Sequence, residues 1–366
     1  MFMDMALYIL IALLMFGILI ALHEFGHFIT AKLLGVRVNE FAIGMGPCLW
    51  SRTGGETQYS IRAIPIGGYC AMEGEDEDSA DPMAFTNKPA WKKFIILVAG
   101  SAMNLLTGVV ILGILFSQSA GFSLPVVAGF PDDSPLKDSE LQVGDRFLRI
   151  DGHRVYVYGD AMLLLSRAGE QVDLELERDG ERIVLENFDM HFYETEVNGQ
   201  KTYLRGLNIG PEVVEATVGR KLQMTLYQSV DYVRMVWMSL EDLIAGRVGV
   251  QDMSGVIGIL DTMGQAGQQG AQAAQENGGS PILGALMNIL NLTSFIAINL
   301  AVMNLLPIPA LDGGRILFLV VDLCYMALTH RRLNPKYEGY VNAAGFVFLI
   351  LLMVVVAYND VIKLIQ

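Results

Sequence analysis

Residues 6–27, ALYILIALLMFGILIALHEFGH, decide the fold. Ala6 to Leu22 is an unbroken apolar run, and three ionisable residues follow it directly. A run of this length, with apolar sequence continuing beyond it to Leu34, predicts a helix that crosses a membrane. Ionisable side chains inside such a helix are costly and indicate a functional site. The stretch therefore predicts a membrane helix that carries polar chemistry at one end.

The rest of the chain extends this prediction to a polytopic α-helical membrane protein. Among its 366 residues 52% are hydrophobic and 17% are charged, with a mean hydropathy of +0.41. Soluble domains contain about 25% charged residues. The apolar residues concentrate in runs that predict about four transmembrane helices, at about 5–34, 93–116, 282–306 and 341–362.

The charge distribution predicts which connections between the membrane helices lie on the cytoplasmic side of the membrane. The net charge is −14, and residues 117–282 account for most of it, with 25 acidic and 13 basic side chains. This acidity argues against a nucleic-acid partner. The short connection from Lys32 to Lys93 contains seven basic residues, and the 329–340 turn contains Arg331, Arg332 and Lys336. The positive-inside rule places these two connections in the cytoplasm, and both termini and the long loop outside.

The segments between the predicted spans divide the chain into parts. Residues 1–116 form an N-terminal membrane part that includes a β-rich segment at 36–90, and residues 281–366 form a C-terminal one. Residues 120–190 show the alternation of a compact β-rich module, with a hairpin turn at Asp179-Gly180. Residues 191–280 contain an amphipathic helix at 222–244 and a Gly/Gln/Ala-rich stretch at 264–279 that predicts a flexible linker.

His23-Glu24-Phe25-Gly26-His27 is an H-E-x-x-H motif. Two histidines four residues apart lie on one face of a helix, where both reach one cation. Glu24 between them is placed to act as a general base. The alternative is a membrane helix end with charged side chains that reach toward the interface. The apolar sequence beyond His27 disfavours that alternative.

A catalytic zinc site takes a third protein ligand, and Asp312 is the best candidate. Pro307 and Pro309 precede it and prevent a regular helix, so irregular backbone lies beside a carboxylate at membrane depth. The alternative is that Asp312 only caps the following helix.

These motifs together resemble the site-2 proteases of peptidase family M50, which are intramembrane zinc metalloproteases. The resemblance rests on HEFGH at 23–27, IGMGP at 43–47, IPIGGY at 64–69, AG at 99–100 with Asn104, and NLLPIPALDGG at 304–314. The match is closest to the bacterial branch that processes anti-sigma factors. It implies a multi-pass protein of the bacterial inner membrane.

The resemblance also implies roles for individual residues. His23, His27 and Asp312 of the L-D-G motif (311–313) would bind Zn²⁺, with Glu24 as the base. Asn304 would bind the substrate backbone or its oxyanion. The hairpin would re-enter the membrane and pair with an extended substrate strand. The implied substrate-binding residues are Ile64, Pro65, Gly67, Gly68, Tyr69 and Asn104.

The β-rich module resembles a PDZ domain through LQVGDRFLRIDG at 141–152. This resemblance implies an inserted α+β domain outside the cytoplasm. It would either filter substrates or act as a structural lid.

The predicted function is an intramembrane zinc endopeptidase. Its expected partners are the lipid bilayer and single-pass membrane proteins such as anti-sigma factors, or the remnants of signal peptides. Two other functions stay open at this stage. One is an intramembrane metal transporter, and the other is a catalytically silent PDZ scaffold.

Overall fold

A computed structural model describes residues 2–75, 79–132, 134–190, 192–197, 200–249, 253–331 and 335–365. Arg332 of the predicted basic turn lies outside the described residues. The helices are α1 (Phe2–Leu33), α2 (Ala90–Ser117), α3 (Tyr158–Arg167), α4 (Val218–Ile244), α5 (Val256–Glu276), α6 (Pro281–Asn304), α7 (Asp312–Thr329) and α8 (Pro335–Ile365). The strands are β1 (Val38–Gly54), β2 (Thr57–Met72), β3 (Gly121–Gly129), β4 (Arg146–Ile150), β5 (His153–Arg154), β6 (Gln171–Arg178), β7 (Glu181–Asp189), β8 (Tyr193–Val197), β9 (Gln200–Leu204) and β10 (Asn208–Glu215).

Among the residues that the structure describes, four helices are long and apolar enough to cross a membrane, as predicted. Their apolar parts are Met5–Leu33, Ala90–Ser117, Pro281–Asn304 and Tyr337–Lys363. The shortest has 24 residues, which is about 36 Å of helix and exceeds a hydrocarbon core of about 30 Å. The third span ends at Asn304 rather than at 306, because Pro307 lies just beyond and prevents the helix from continuing.

The chain forms two compact units. The first comprises Met1–Leu112 and Tyr232–Gln366, and the second comprises Gly113–Asp231. In the first unit, α1, α5 and α6 enclose a core of apolar side chains. The fully buried members of that core include Leu19, Met263 and Ile289.

Helix α5 corrects the linker predicted at 264–279. Residues 256–276 form a regular helix that packs against α1 and α6. Alanine and glutamine are good helix formers. Gly264 packs on Ile9, and Gly267 packs on Tyr8 and Ile289, at distances that leave no room for a side chain. The small residues that are typical of a flexible linker here allow α5 to pack closely against α1 and α6.

The predicted β-rich segment at 36–90 contains the long antiparallel hairpin of β1 and β2. Both strands bend back, so that residues 40–43 pair with 58–61 on one side and with 68–71 on the other. Gly44 and Gly46 have φ values of +84° and +81°, which only glycine adopts readily, and they lie where β1 bends. The two strands thus form a small curled sheet.

The second unit contains an antiparallel sheet with the order β10-β3-β4-β6-β7, and β5 pairs with β4. The predicted turn joins β6 and β7, with positive φ at both Asp179 (53°) and Gly180 (83°). This combination is that of a type I′ hairpin. Strand β10 pairs along the full length of β3, so the sheet extends to Glu215 and beyond the predicted boundary at 190.

Candidate metal centre

Three ligand atoms from distant parts of the chain form a nearly equilateral triangle. The Nε2 atoms of His23 and His27 lie 3.2 Å apart, and Asp312 Oδ2 lies 3.2 Å from the first and 3.3 Å from the second. A tetrahedral zinc ion with bonds of about 2.0 Å holds its ligand atoms about 3.3 Å apart. The triangle therefore has the size of one face of a zinc tetrahedron, and the fourth corner is left for a non-protein ligand.

The two histidines come from consecutive turns of α1, as their spacing predicts. Asp312 reaches them because the chain leaves α6 at Asn304 and starts α7 at Asp312 itself. Gly313 and Gly314 lie against the backbone of residues 305–309, where a side chain would collide with main-chain atoms. The glycines allow this tight turn and so fix the position of the carboxylate.

Asp312 does not cap α7. The N-cap position is Leu311, and no side chain donates or accepts a cap hydrogen bond there. The Asp312 carboxylate points at the histidines instead. Its Oδ2 atom is buried and has no hydrogen-bond partner among the described residues. A buried carboxylate oxygen without a donor is costly unless a cation neutralises it.

The tautomer of His27 supports a cation at this position. Its Nδ1 lies 2.8 Å from the carbonyl oxygen of Ile96, to which only a protonated nitrogen can donate. In neutral His27 the proton is therefore on Nδ1, and Nε2 presents a lone pair to the triangle. A lone pair and a carboxylate oxygen 3.3 Å apart repel each other. A divalent cation between them removes this repulsion, and the residues therefore fit a metal ion.

Two asparagines approach the other nitrogen of His23. The amide of Asn104 lies 3.1 Å from His23 Nδ1, and that of Asn304 lies 3.5 Å from it. Asn104 Oδ1 is buried without a partner. Exchanging the O and N of this amide lets the oxygen accept a hydrogen bond from Nδ1–H, which leaves Nε2 free to bind a metal. Asn104 is thus a support for His23.

The surroundings of the two asparagines differ. The side chain of Asn104 is only 1% exposed, enclosed within the first unit beside His23. Asn304, the predicted backbone or oxyanion contact, is half-buried and lies closer to the surface. The sequence motifs placed both asparagines near the site, but only the structure separates the enclosed amide from the more accessible one.

Gly100 is a site residue that the motif analysis did not select. A Cβ on Gly100 would lie 2.7 Å from His23 Cε1 and closer still to His27 Nε2. Gly26, inside the H-E-x-x-H motif, likewise faces the backbone of Ala99 with no room for a side chain. Helices α1 and α2 therefore touch through two glycines at the metal ligands. The Ala99-Gly100 pair in the second span is the sequence feature that indicates this contact, because glycine in a helix interior is unfavourable unless close packing requires it.

The hairpin passes beside Glu24. A Cβ on Gly68 would lie 3.4 Å from Glu24 Cγ, and one on Gly17 would lie 2.8 Å from the carbonyl oxygen of Pro65. Strand β2 thus runs along α1 and past the predicted base.

The other hairpin residues of the predicted substrate-binding set have different surroundings. Ile64 is 50% exposed, and Pro65 is also exposed. Gly67 has a φ of +95°. Tyr69 is half-buried and lies under the guanidinium of Arg62, at 5.1 Å from the ring centroid. The hairpin therefore presents the exposed side chains of Ile64 and Pro65, and places Gly68 next to Glu24.

Sequence comparisons show which family of proteins the chain resembles over most of its length. A sequence model of peptidase family M50 matches residues 11–352. A protein of Clostridium acetobutylicum is 35% identical over 97% of both chains. A protein of Clostridium perfringens is 33% identical over 97% of this chain and 99% of its own, and one of Fusobacterium nucleatum is 31% identical over 97% and 98%. The names of all three contain the words zinc metalloprotease.

Proposed function

The chain belongs to peptidase family M50, and we propose that it is a zinc endopeptidase that cleaves membrane-spanning segments of other membrane proteins. The observation that supports this most directly is the triangle of His23, His27 and Asp312. Its edges of 3.2–3.3 Å suit a tetrahedral zinc ion, and its ligands lie on or next to apolar helices.

His23, His27 and Asp312 would hold the zinc. When bound, zinc supplies a Lewis acid that polarises a peptide carbonyl and makes water more acidic at neutral pH. Glu24, adjacent to His23 and beside the hairpin, takes the proton of the attacking water and later gives it to the leaving amide nitrogen. Asn304 would donate a hydrogen bond to the substrate carbonyl as negative charge develops on it.

The hairpin would hold the substrate in an extended form. A peptide bond inside a helix is hydrogen-bonded and shielded by side chains, so a spanning helix must unwind locally before it is cut. Strand β2 passes Glu24 with Gly67 and Gly68, which have no side chains of their own. An unwound substrate segment that pairs with this strand would form backbone hydrogen bonds with it beside the base.

The expected substrates are single-pass membrane proteins such as anti-sigma factors, or the remnants of signal peptides. The location would be the bacterial inner membrane, with the hairpin re-entrant and the second unit on the outer side. The second unit would act as a PDZ-like filter on the extracytoplasmic part of a substrate. Its antiparallel sheet, with helix α3 inserted between β5 and β6, suits such a module.

The test is the Glu24→Gln variant of the full chain, reconstituted in liposomes with a single-span substrate. Removing a general base costs about 10²–10⁴ in rate, so cleavage should fall on the order of 10³-fold. Zinc content, measured by metal analysis, should stay at one ion per chain because the three ligands are intact. Asp312→Asn should lower both cleavage and zinc content.

Glu56→Gln is the matched control. Glu56 lies in the turn of the hairpin, 37% exposed and paired with Lys32. This variant should cleave at the wild-type rate. Full turnover by Glu24→Gln, or zinc flux across the liposome without any proteolysis, would contradict the proposal, and the second result would favour a metal transporter.

A further inference from the structure

A cavity of about 320 Å³ lies within the second unit, between the sheet and the first turns of α4. This volume is at the lower end of the range for pockets that bind small ligands. Strands β3 and β4 form one wall, and α4 forms the other through Arg220, Gln223, Met224 and Tyr227. The cavity is separate from the metal centre, whose ligands all belong to the first unit.

The lining of this cavity is strongly basic. Arginines from β4, β5, β7 and α4 surround it, namely Arg146, Arg149, Arg154, Arg182 and Arg220. Glu175 is the one acidic residue in the lining. The second unit as a whole has 20 acidic and 11 basic side chains, a net charge of −9. Almost half of its basic residues thus line one cavity on an otherwise acidic body.

Carboxylates already bind part of this lining. Arg146 pairs with Glu177 at 2.6 Å, and Glu175 lies 2.6 Å from Arg182 and 3.4 Å from Arg149. Within the described residues, these contacts bring two carboxylates against three of the five guanidinium groups. A guanidinium presents several donors in a plane, which suits further carboxylate oxygens.

The remaining arginines are held in place by aromatic rings and by the helix. The guanidinium of Arg154 lies 5.4 Å from the ring centroid of Tyr156 and 5.7 Å from that of Tyr227, and it donates to the Tyr227 hydroxyl. Arg220 lies in the first turn of α4, where the helix dipole adds positive potential. Leu124 and Met224 make another part of the lining apolar.

We propose that this cavity binds a short acidic peptide segment through its carboxylates, with apolar side chains of the same segment against Leu124 and Met224. The carboxylate contacts of Glu175 and Glu177 show the chemistry that the guanidinium groups accept. The mixed lining suits a peptide that alternates acidic and apolar residues.

An anionic membrane surface fits this lining less well. A planar bilayer presents charge over its whole area, and a unit with a net charge of −9 is repelled by it. A short peptide that enters the cavity meets the arginines at distances below the Debye length of about 8 Å. The local basic charge then outweighs that of the surrounding surface.

The experiment measures binding of a fluorescein-labelled hexapeptide in which glutamate alternates with leucine, to the purified full chain in detergent. The same peptide with glutamine in place of glutamate is the ligand control. The glutamate peptide should bind at least tenfold more tightly, and this preference should weaken as NaCl rises. The double variant Arg154→Gln/Arg220→Gln should bind it at least tenfold more weakly.

Two further variants separate charge loss from misfolding. Lys137→Gln/Arg167→Gln removes the same charge from the second unit outside the cavity lining and should bind like the wild type. Gln223→Trp fills the cavity without changing charge and should weaken binding as the arginine variant does. Equal affinity of the wild type and both cavity variants would overturn the proposal. So would arginine-dependent binding of phosphatidylglycerol vesicles with no binding of the peptide.

Discussion

Gly100 determines how closely α2 approaches the metal ligands. The position is buried, and the ring atoms of both histidines occupy the space that a methyl group would need. Gly26 has the same role on α1, against the backbone of Ala99. The two imidazoles are therefore enclosed by a backbone surface that holds their ring planes at 80° to each other.

Gly100→Ala should remove most of the activity. The added methyl group would lie 2.7 Å from His23 Cε1, so at least one ring must move. A displacement of about 1 Å at a reacting group costs on the order of 10² in rate. Zinc content by metal analysis should fall together with cleavage of a reconstituted substrate.

Gly113→Ala is the control on the same helix. The nearest atom to a Cβ at Gly113 is Thr225 Cγ2, at 4.0 Å, which is ordinary contact. Alanine in a helix interior is favoured over glycine by about 1 kcal/mol, so this variant should be as active as the wild type and slightly more stable. Equal zinc content in both variants would show that Gly100 does not position the ligands.

At the scale of elements, the glycines of α5 allow close helix packing instead of making this segment flexible. Gly264, Gly267 and Gly270 recur once per turn and lie on the face that contacts α1 and α6. Gly270 lies against Gly284 of α6, backbone to backbone. At the start of α5, the amides of Gly255 and Gly258 donate to the carboxylate of Asp360 on α8, at 2.9–3.2 Å. The helix is thus fixed both along its length and at its first turn.

Gly270→Val should destabilise the first unit. A Cβ there would lie 2.8 Å from the carbonyl carbon of Gly284, so α5 and α6 must separate. Overpacking costs about 1–3 kcal/mol, which corresponds to a decrease of about 2–12 °C in Tm for a unit of this size. Thermal unfolding in detergent measures the effect.

Ala273→Val introduces the same side chain on the exposed side of α5 and is the matched control. Its Tm should stay within about 2 °C of the wild type, since only the small difference in helix propensity remains. If both substitutions lower the Tm equally, the glycine face does not determine the packing.

Elements with strong periodicity could be predicted from the sequence, and elements defined by tertiary contacts could not. The spans, the Asp179-Gly180 hairpin and α4 follow from hydropathy, turn chemistry and 3.6-residue spacing. The Gly/Gln/Ala composition of residues 264–279 predicts a flexible linker, and only packing against α1 and α6 distinguishes a helix from such a linker. Strand β10 escaped prediction because pairing with β3 is a long-range contact.

At the site, too, local spacing could be predicted from the sequence and tertiary contacts could not. The motif spacing predicted His23, Glu24 and His27, because a helix places the two histidines on one face. Asp312 could be proposed but not joined to them, since no local rule relates residues so far apart in the chain. Gly100 and the enclosed position of Asn104 depend on how α2 lies against α1, which the sequence of either helix alone does not specify.

At the scale of the whole molecule, the four apolar helices divide the chain into alternating connections. The basic residues concentrate in the connection between α1 and α2 and in the turn between α7 and α8. The acidic second unit lies between α2 and α6 in the sequence. This alternation predicts a single orientation, with the second unit outside the cytoplasm.

Cysteine labelling of intact cells tests this orientation. In a background with Cys48, Cys70 and Cys324 replaced, Lys137→Cys should react with a membrane-impermeant maleimide, because Lys137 is 53% exposed in the second unit. Arg331→Cys, also exposed, should react only after the cells are permeabilised. The opposite labelling pattern would invert the topology and place the second unit in the cytoplasm.

The separation of the three proposed ligands along the chain also determines how late in synthesis the metal centre can be completed. A ribosome adds 285 residues between His27 and Asp312, which takes about 15–60 s at ordinary elongation rates. Throughout that interval the nascent chain has two of the three protein ligands, in a membrane crowded with other newly inserted proteins. A product that is truncated or stalled before the L-D-G turn therefore contains the base but lacks the carboxylate that completes the proposed centre.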